Sequence, residues 1–401
     1  MRFGVASLFI WAACAVAAPA QVASENVPRV FLLDAQILRD HKASPEMAAQ
    51  ARTAADQVNG RGPYSVMLKT RVPPSGDQHD YMSQAPYFWP DPSKPGGRPY
   101  LRKDGERNPE ISQIPDHTNM DHMSTDARAL ALAWYFTGDE RYAARAALVL
   151  RTWYLDPATR MKPNLDFAQA IPGVNDGRGI GIIESRGLTS VVDAAGLLAG
   201  SKSWTEADQK GLEAWFAAFL QWLQESRNGR DEAKSENNHG TYYDVQVADF
   251  ALFTHQDKLA GKILAESRAK RIAAQIEPDG RQPKETDRTR GISYSIMNLN
   301  GLMALATLGD RTGIDFWRYQ SSGHGGDHPA IRQALDWLAP YVTGDKPWPY
   351  QQIDAVNRAE LIPCLLRAAA HYNDPHYAAL AKPLAADSPD LETLLLRAAL
   401  E

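Results

Sequence analysis

Apolar residues recur at intervals of three and four along most of the chain after Ser124, which is the period of amphipathic α-helices. Two such runs, ALALAWYF and RYAARAALVLRTWYL, are separated only by the short polar sequence TGDE. The sequences FTHQDKLAGKI near Phe253 and HYNDPHYAALA near His371 repeat the arrangement of an aromatic helix end, a short polar turn and a new helix. The pattern predicts a helical hairpin that recurs along the chain.

Further helical runs follow, and the alternation of apolar and polar residues that marks β-strands is nearly absent. These runs are LTSVVDAAGLLA, EADQKGLEAWFAAFLQWLQES, YYDVQVADFALF, LNGLMALATL, IRQALDWLAPYV and AELIPCLLRAAA. We therefore predict a mainly α fold. Hairpins that each bury one face against the next form a solenoid, or curve until they enclose a cleft as in an α/α toroid, an incomplete α/α barrel.

The stretch from Val72 to Asn119 lacks this helical period and is rich in Pro and Gly. Structureless segments of such length inside a compact protein usually have a function. We predict a long loop that packs over the cleft of the helical hairpins.

The first residues, MRFGVASLFIWAACAVAAPAQ, combine an early Arg, an apolar run and small residues that end at Ala18-Pro19-Ala20. This pattern is typical of a secretory signal peptide, so we expect residues 1–20 to be removed and the protein to be periplasmic or secreted. Cys14 lies inside the signal, which leaves Cys364 as the single cysteine of a mature chain without disulfides. No linker marks a boundary, and we expect residues 21–401 to form one domain.

The charge of the chain argues against one class of partner. The formal net charge is -5 and the two signs are interspersed, which does not favour a nucleic-acid-binding surface. No segment after the signal is apolar enough to span a membrane.

Two stretches carry side chains suited to proton transfer. SENNHGTYYD contains Asn237, Asn238 and His239, and KETDRTRGISYSIMNLNGL contains Arg288 and Tyr294. Together they suit the removal of a proton next to a carboxylate, because Arg and Asn can neutralise the charge that develops there. A phenol has a pKa of about 10, so we expect a cation such as Arg288 to lower the pKa of Tyr294. Taken singly, NNHG also reads as a helix N-cap and Tyr294 as a core residue.

The order Asn237-Asn238-His239, then E-x-x-R about fifty residues later and a Tyr-Ser pair at a helix start, resembles the alginate-lyase group of polysaccharide lyases, which includes glucuronan-cleaving relatives. Three longer segments resemble the same group, so the similarity runs from about residue 80 to 305. They are APYFWPDPSKPGGRPYLRKDGERNPE, PNLDFAQAIPGVNDGRGIGIIESR and PKETDRTRGISYSIMNLNGL.

The resemblance implies an α/α toroid that cleaves a β-1,4-linked polyuronate by β-elimination and needs no cofactor. It assigns carboxylate neutralisation to Asn238 and Arg288, and proton handling to His239 and Tyr294. Narrower alginate lyases place the Arg seven residues before the Tyr and follow the Tyr with His, whereas here the spacing is six and Ser295 follows. Alginate and glucuronan therefore both stay open as the polymer.

Other residues are candidates for binding the polymer. Loop aromatics beside basic residues have few packing reasons to be there, so stacking on sugar rings and pairing with uronate carboxylates are expected in the stretch PYFWPDPSKPGGRPYLRK. The glycines of GVNDGRGIGIIES favour a loop that approaches the cleft closely. The predicted binding residues are Tyr87, Trp89, Arg98, Gln169, Arg178, Asn237 and Tyr242, with Tyr243 open to a packing role.

Two other classes of function remain open. A glycoside hydrolase would use a pair of carboxylates, such as Glu184 with Asp287 or Glu285. A non-catalytic polysaccharide-binding protein would keep the aromatic and basic residues but would not need Tyr294. Metal sites are poorly supported, because DHTNMDH (His117, Asp121, His122) and GHGGDH (His324, Asp327, His328) lack the spacing of a zinc helix and read as surface or loop histidines.

Overall fold

The protein is mainly helical, as the sequence predicts. The computed structural model describes residues 27–321, 328–385 and 390–400, so the expected signal peptide lies outside the described residues. Its α-helices are α1 Ala35–Asp40, α2 Pro45–Val58, α3 Asp116–Thr137, α4 Glu140–Leu150, α5 Thr189–Leu197, α6 Glu206–Glu225, α7 Arg227–Glu232, α8 Asn238–Phe253, α9 Asp257–Ser267, α10 Pro283–Thr286, α11 Gly291–Thr312, α12 Ala330–Thr343, α13 Ile362–Tyr372, α14 Pro375–Ala381 and α15 Leu391–Ala398. All six of the further helical runs named from the sequence fall on these helices.

The hairpin turn TGDE forms as its residues predict. Helix α3 ends at Gly138, which has a left-handed φ of 67° and donates its backbone N–H to the Trp134 carbonyl. The Asp139 side chain then accepts the backbone N–H of Arg141 and caps α4. The two helices pack against each other.

Helix α8 lies at the centre of the packing, against α5, α6, α9 and α11. Every residue of α8 except His239 and Tyr242 is buried. Two of its buried polar side chains have internal partners, with Asp244 paired to Arg271 at 2.7 Å and Gln246 accepting the Ser185 hydroxyl at 2.6 Å, whereas the carboxyl oxygens of Asp249 have no hydrogen-bond partner among the described residues. A helix buried all round can hold the residues at its N-terminus in fixed positions.

The stretch 72–119 is less irregular than predicted. Strand β1 (Met82–Gln84) pairs in parallel with β4 (Phe167–Ala170), and β2 (Phe88–Trp89) forms a hairpin with β3 (Leu101–Arg102). These strands are only two to four residues long, too short for an alternating pattern to stand out in the sequence. They fix the stretch at the cleft instead of leaving it a free loop.

Helix α3 also begins earlier than the apolar period indicates, at Asp116 and not near Ser124. Its first two turns carry DHTNMDH, and these polar residues hide the helical period. Asp116 forms a fully buried ion pair with Lys69, at 2.9 Å. Burial raises the pKa of Asp116 to about 6 although Lys69 opposes the shift.

One hydrophobic cluster runs through the helices, from Val30 near the start of the described chain to Leu395 in α15. Cys364 lies within it, buried and outside any disulfide. None of the described helices is both long enough and apolar enough to cross a membrane.

Candidate active site

A cleft of about 1120 Å³ opens where the 72–119 stretch meets the N-termini of α8 and α11. Its lining includes six arginines and only two carboxylates, in a chain whose formal net charge is -5. The arginines are Arg102, Arg107, Arg178, Arg186, Arg288 and Arg290, and the carboxylates are Glu184 and Glu360. Arg102 and Arg288 share Asp104, and Arg290 pairs with Asp354, both just outside the lining. The lining still has more arginines than carboxylates, in an otherwise mildly acidic protein.

The sequence NNH begins helix α8 at the edge of this cleft. The Asn237 side chain accepts the His239 backbone N–H at 3.3 Å, so Asn237 is the N-cap that its residue type predicts. Asn237, Asn238 and His239 nevertheless all line the cleft. Capping and a place at the site are compatible here, because the cap fixes the direction of the next two side chains.

His239 contacts a buried carboxylate that the sequence reading missed. Its Nδ1 lies 2.8 Å from Glu232 Oε1, and the Glu232 side chain is 1 % exposed. Glu232 is the last residue of α7, seven positions earlier, with a turn between them, so no helical spacing pointed to the pair.

Asn238 is held by a second buried carboxylate. Its backbone N–H donates to Glu285 Oε1 at 2.6 Å, and its side-chain amide donates to Glu285 Oε2 at 2.7 Å. Burial raises the pKa of Glu285 to about 6, although the two donors from Asn238 lower it. Glu285 therefore fixes one of the two amide hydrogens of Asn238 and leaves the other for a ligand.

Arg288 is paired within the protein, through a carboxylate that the sequence did not indicate. Its Nε and Nη2 donate to the two oxygens of Asp104 at 3.0 and 2.8 Å. Burial raises the pKa of Asp104, but Arg288 and Arg102, whose Nη2 lies 2.6 Å from Asp104, together outweigh that effect and hold the pKa well below its usual range. Asp104 lies in the 72–119 stretch, so this bidentate pair also fastens that stretch to the start of α11. Within the described part of the chain, Nη1 of Arg288 makes no hydrogen bond.

Tyr294 lines the cleft and donates its hydroxyl to the Tyr87 hydroxyl at 2.7 Å. The Arg288 guanidinium lies 4.4 Å from the Tyr294 ring centroid. The expectation of a lowered pKa is wrong: burial and Tyr87 raise the pKa of Tyr294 well above its ordinary value, and Arg288 opposes this only in part. At neutral pH the phenol therefore keeps its proton.

Gln169 and Arg178 form a further pair in the cleft. Arg178 donates to Gln169 Oε1 at 2.7 Å, and its guanidinium lies 5.1 Å from the Phe88 ring centroid. Burial lowers the pKa of Arg178 to about 10, so it stays charged at neutral pH. Among the described residues it has no carboxylate within ion-pair distance, and its Nε is buried without a hydrogen-bond partner.

Gln169 adopts a left-handed φ of 50°, which is strained for a residue with a side chain. Close contacts also fix the neighbouring loop, since a Cβ at Gly177 would clash with the Asp166 carbonyl oxygen. The glycines therefore allow a close approach between backbone segments, and the segment reaches the cleft through Arg178, Ile180 and Ile183.

The remaining candidates for binding divide into two groups. Tyr87 and Tyr242 line the cleft, and the Tyr242 hydroxyl donates to the Met297 carbonyl at 3.0 Å. Trp89 and Arg98 do not line it. The Trp89 indole donates to the Glu106 carbonyl at 3.0 Å, and Arg98 lies on an exposed turn after the close Gly96-Gly97 bend.

Tyr243, in contrast, has a packing role. It is buried and donates its hydroxyl to the Leu223 carbonyl at 2.9 Å, away from the cleft.

Several cleft residues were not singled out from the sequence. Arg107 and Arg186 carry no signal besides their charge, and His117 was read as a surface or loop histidine. His117 lies instead on α3 and lines the cleft, with its Nδ1 3.8 Å from Glu184 Oε1. Because α3 begins at Asp116, His117 is part of the helix and its side chain points into the cleft. The polar residues around it gave no sign of a helix in the sequence.

The carboxylates that a hydrolase would need are placed poorly for that reaction. Glu184 is buried and accepts the hydroxyls of Tyr81 and Ser83 at 2.7 and 2.6 Å. Asp287 is exposed and does not line the cleft, and both oxygens of Glu285 accept hydrogen bonds from Asn238.

The described residues contain no group of three or more side chains placed to hold a metal ion. His117 and Asp121 approach to 3.4 Å, but His122 does not join them. His324 and Asp327 of GHGGDH lie outside the described residues. Catalysis without a metal or other cofactor stays a prediction.

Comparison with known proteins places this site in a family. The sequence pattern of the Alginate lyase family matches residues 65–348. A crystal structure of an alginate lyase from Bacteroides ovatus is 38% identical, covers 94% of this chain and 100% of its own, and has a TM-score of 0.86. No protein with a curated description matches.

Two more distant structures share the fold. A variant of alginate lyase A1-III complexed with tetrasaccharide is 17% identical over 92% of this chain and 95% of its own, with a TM-score of 0.59. Alginate lyase A1-III from Sphingomonas species A1 is 17% identical over 90% and 92%, with a TM-score of 0.53. The α/α toroid is thereby confirmed over the solenoid. The chain, with its cationic cleft between helical hairpins, belongs to the alginate lyase family and is a polysaccharide lyase.

Proposed function

We propose that the protein depolymerises a β-1,4-linked polyuronate by β-elimination and leaves an unsaturated uronate at the new non-reducing end. The observation that carries this proposal is the cleft itself, where six arginines and two carboxylates surround the imidazole of His239 and the phenol of Tyr294. A polymer with one carboxylate per sugar matches that charge.

The reaction needs one proton removed and one delivered. A base takes the proton from C5, the electron pair forms the C4=C5 double bond, the C4–O4 bond breaks, and an acid protonates the leaving O4. The C5 proton is weakly acidic, so the negative charge that develops on the C6 carboxylate must be neutralised by fixed donors.

We assign the acid to Tyr294 and the base to His239. Burial raises the pKa of Tyr294, so it carries a proton that it can deliver to O4. The Nδ1 of His239 faces the Glu232 carboxylate, which leaves Nε2 as the nitrogen with a free lone pair. Tyr87 accepts the Tyr294 hydrogen bond and so orients the phenol.

Neutralisation falls to Asn238 and Arg288. Each is fixed by an internal carboxylate, yet each keeps hydrogen-bond donors that its partner does not use. Groups that are already oriented need no reorganisation when the charge develops, which is the condition for strong electrostatic stabilisation. Arg178, with Gln169 behind it, lacks a carboxylate partner and fits the carboxylate of another sugar along the chain.

Two polymers are supported as substrate. The similar protein from Bacteroides ovatus is described as an alginate lyase, which makes alginate the first choice. The six-residue spacing of Arg288 and Tyr294, with Ser295 following, supports glucuronan as the second. Mannuronate and glucuronate carry H5 and O4 on the same side of the ring, so one arrangement of acid and base serves both. We infer that the protein meets this polymer after export, through the signal pattern of residues 1–20.

The test is a screen of the mature protein, lacking residues 1–20, on polymannuronate, polyguluronate, glucuronan and glycosaminoglycans. We expect ultraviolet absorbance from a conjugated unsaturated uronate on polymannuronate or glucuronan, unaffected by EDTA, whereas activity on polyguluronate alone would contradict the proposed β-1,4-linked substrate. Products made only of saturated sugars would establish a hydrolase, and polymer retention without any product would establish a binding protein. Loss of turnover in EDTA with recovery on adding one divalent metal would contradict our assignment of the neutralising groups.

A further inference from the structure

Glu232 is a buried carboxylate with an uncommon set of partners. Its Oε1 lies 2.8 Å from His239 Nδ1, and its Oε2 accepts the Ser235 hydroxyl at 3.2 Å. Within the described residues it has no Lys or Arg at ion-pair distance. Arg178 acts on it only from beyond ion-pair distance, and burying a carboxylate without a paired cation is costly, so the position needs a reason beyond packing.

The turn that brings Glu232 to His239 is rigid. Arg271, which is 2 % exposed, donates to the carbonyl oxygens of Ala233 and Ser235 at 2.9 and 2.6 Å. Its guanidinium also pairs with the carboxylate of Asp244, which lies in α8, at 2.7 Å. Arg271 thus fixes the backbone of the turn between α7 and α8 and ties it to α8. The Glu232 carboxylate and the His239 imidazole are therefore held in contact by a rigid backbone.

This geometry determines which ring nitrogen carries the proton. A carboxylate only accepts hydrogen bonds, so the Nδ1 of a neutral His239 must be the protonated nitrogen. The side chain is 17 % exposed and lines the cleft, and Nε2 has no partner among the described residues. The lone pair is thus held on the nitrogen that the cleft can reach.

We propose that Glu232 is a positioning residue, which fixes the Nδ1-protonated tautomer of His239 and stabilises the imidazolium formed when Nε2 accepts the C5 proton. The catalytic part of this inference rests on the proposed elimination. The tautomer part does not, because it follows from the two side chains alone. Buried hydrogen-bond partners of metal-binding histidines are worth roughly 10- to 100-fold in metal affinity or activity, and we expect an effect of that size on turnover here.

Two variants test the inference, with Ser235→Ala as the matched control. Glu232→Gln keeps the shape, but its amide both donates and accepts and no longer specifies one tautomer. Glu232→Met removes the acceptor altogether. Ser235→Ala loosens the same carboxylate without touching Nδ1. Thermal melting of each variant identifies any that do not fold.

Nitrogen-15 NMR of the histidine rings is the first measurement. We expect Nδ1 of His239 to be protonated in the wild type and in Ser235→Ala, and the protonated Nε2 form to become populated in Glu232→Met. An unchanged His239 signal in folded Glu232→Met would overturn the proposal. This reading needs no substrate, so it stands even if the screen finds no lyase activity.

Steady-state kinetics on the polymer identified by the screen is the second measurement. We expect kcat of folded Glu232→Gln to fall about 10- to 100-fold with KM within about threefold, because the proton transfer is affected and the binding arginines are not. Ser235→Ala should stay within about threefold in both. A loss in Glu232→Gln confined to KM, or no loss, would show that Glu232 has a structural role only.

Discussion

At the scale of single residues, three of the four candidate catalytic groups are each held by a carboxylate from another element. Glu232 holds His239, Glu285 holds Asn238 and Asp104 holds Arg288. The four candidates themselves were predictable from the sequence, because their residue types and order suit the chemistry. Their partners were not, since a carboxylate seven to about 180 positions away gives no local pattern.

The role of Glu285 can be measured through pH. Its pKa of about 6 in the folded state, against an ordinary 4.5, means that the folded protein binds more protons between these values. Glu285 therefore lowers the unfolding free energy as pH rises from about 4.5 to about 6, by about 2 kcal/mol in total. We expect the difference in stability between wild type and Glu285→Gln to change over that window, as measured by denaturant unfolding at a series of pH values.

Glu285→Gln should also reduce kcat, because its amide cannot accept both hydrogen bonds from Asn238. The control is Glu236→Gln, an exposed residue paired with Lys284 at the surface. The idea fails if the stability difference is flat with pH and turnover is unchanged.

Arg178 provides a test of substrate binding at the same scale. Arg178→Met removes a cation that has no carboxylate at ion-pair distance among the described residues, so we expect KM on the polyuronate to rise about tenfold or more with a smaller change in kcat. The folded state should not lose an ion pair. Arg98→Met, the same change on an exposed turn outside the cleft, should leave KM within about twofold. Equal effects of the two variants would remove Arg178 from the binding site.

At the scale of elements, the helices were predictable, whereas the structure of the stretch 72–119, which packs over the cleft, was not. Runs such as EADQKGLEAWFAAFLQWLQES have a strong apolar period and correspond to α6 almost residue for residue. The strands between residues 82 and 102 have no such period, because each contains two or three residues. Their pairing with distant segments, such as β1 with β4, is a tertiary effect that a local pattern cannot carry.

The turn between α7 and α8 yields a prediction about stability. A Cβ at Gly240 would clash with the Ser235 carbonyl oxygen and the Arg271 guanidinium, both of which belong to the clamp on this turn. We expect Gly240→Ala to lower the unfolding free energy by about 1–3 kcal/mol or more and to reduce activity by displacing His239. Chemical unfolding with parallel kinetics measures both.

Gly261→Ala is the matched control for this change. Gly261 lies inside α9 with open space around its Cβ position, so Ala should stabilise the helix by about 0.5–1 kcal/mol. If the two substitutions behave alike, the close packing at Gly240 has no energetic consequence.

At the scale of the whole molecule, the toroid brings residues that are far apart in sequence to one cleft. Tyr87 comes from the stretch 72–119, His239 from α8 and Tyr294 from α11, and all three line the cleft. The sequence predicted that these residues belong together through chemistry and family resemblance. It did not predict that the phenol would be buried against Tyr87, which reverses the expected direction of its pKa shift.

Net charge likewise describes the whole chain and not the site. A value of -5 does not favour a nucleic-acid-binding surface, yet the lining of the cleft has six arginines to two carboxylates. Several arginines outside the cleft, such as Arg151 with Asp208, are paired with a carboxylate, which reduces their contribution to the field at the cleft. The local distribution of charge, which only the fold determines, therefore supports the proposed polyuronate substrate where the net charge does not.

The most direct test of the proposed elimination is kcat of folded Tyr294→Phe on the polymer that the screen identifies. The change removes one hydroxyl hydrogen bond, so stability should fall by only about 1 kcal/mol, whereas kcat should fall roughly 100- to 10,000-fold because the acid for O4 is gone. Tyr243→Phe, which removes a buried hydroxyl from the same type of residue outside the cleft, should lose similar stability and keep its turnover. Activity of Tyr294→Phe within about threefold of wild type would contradict the account.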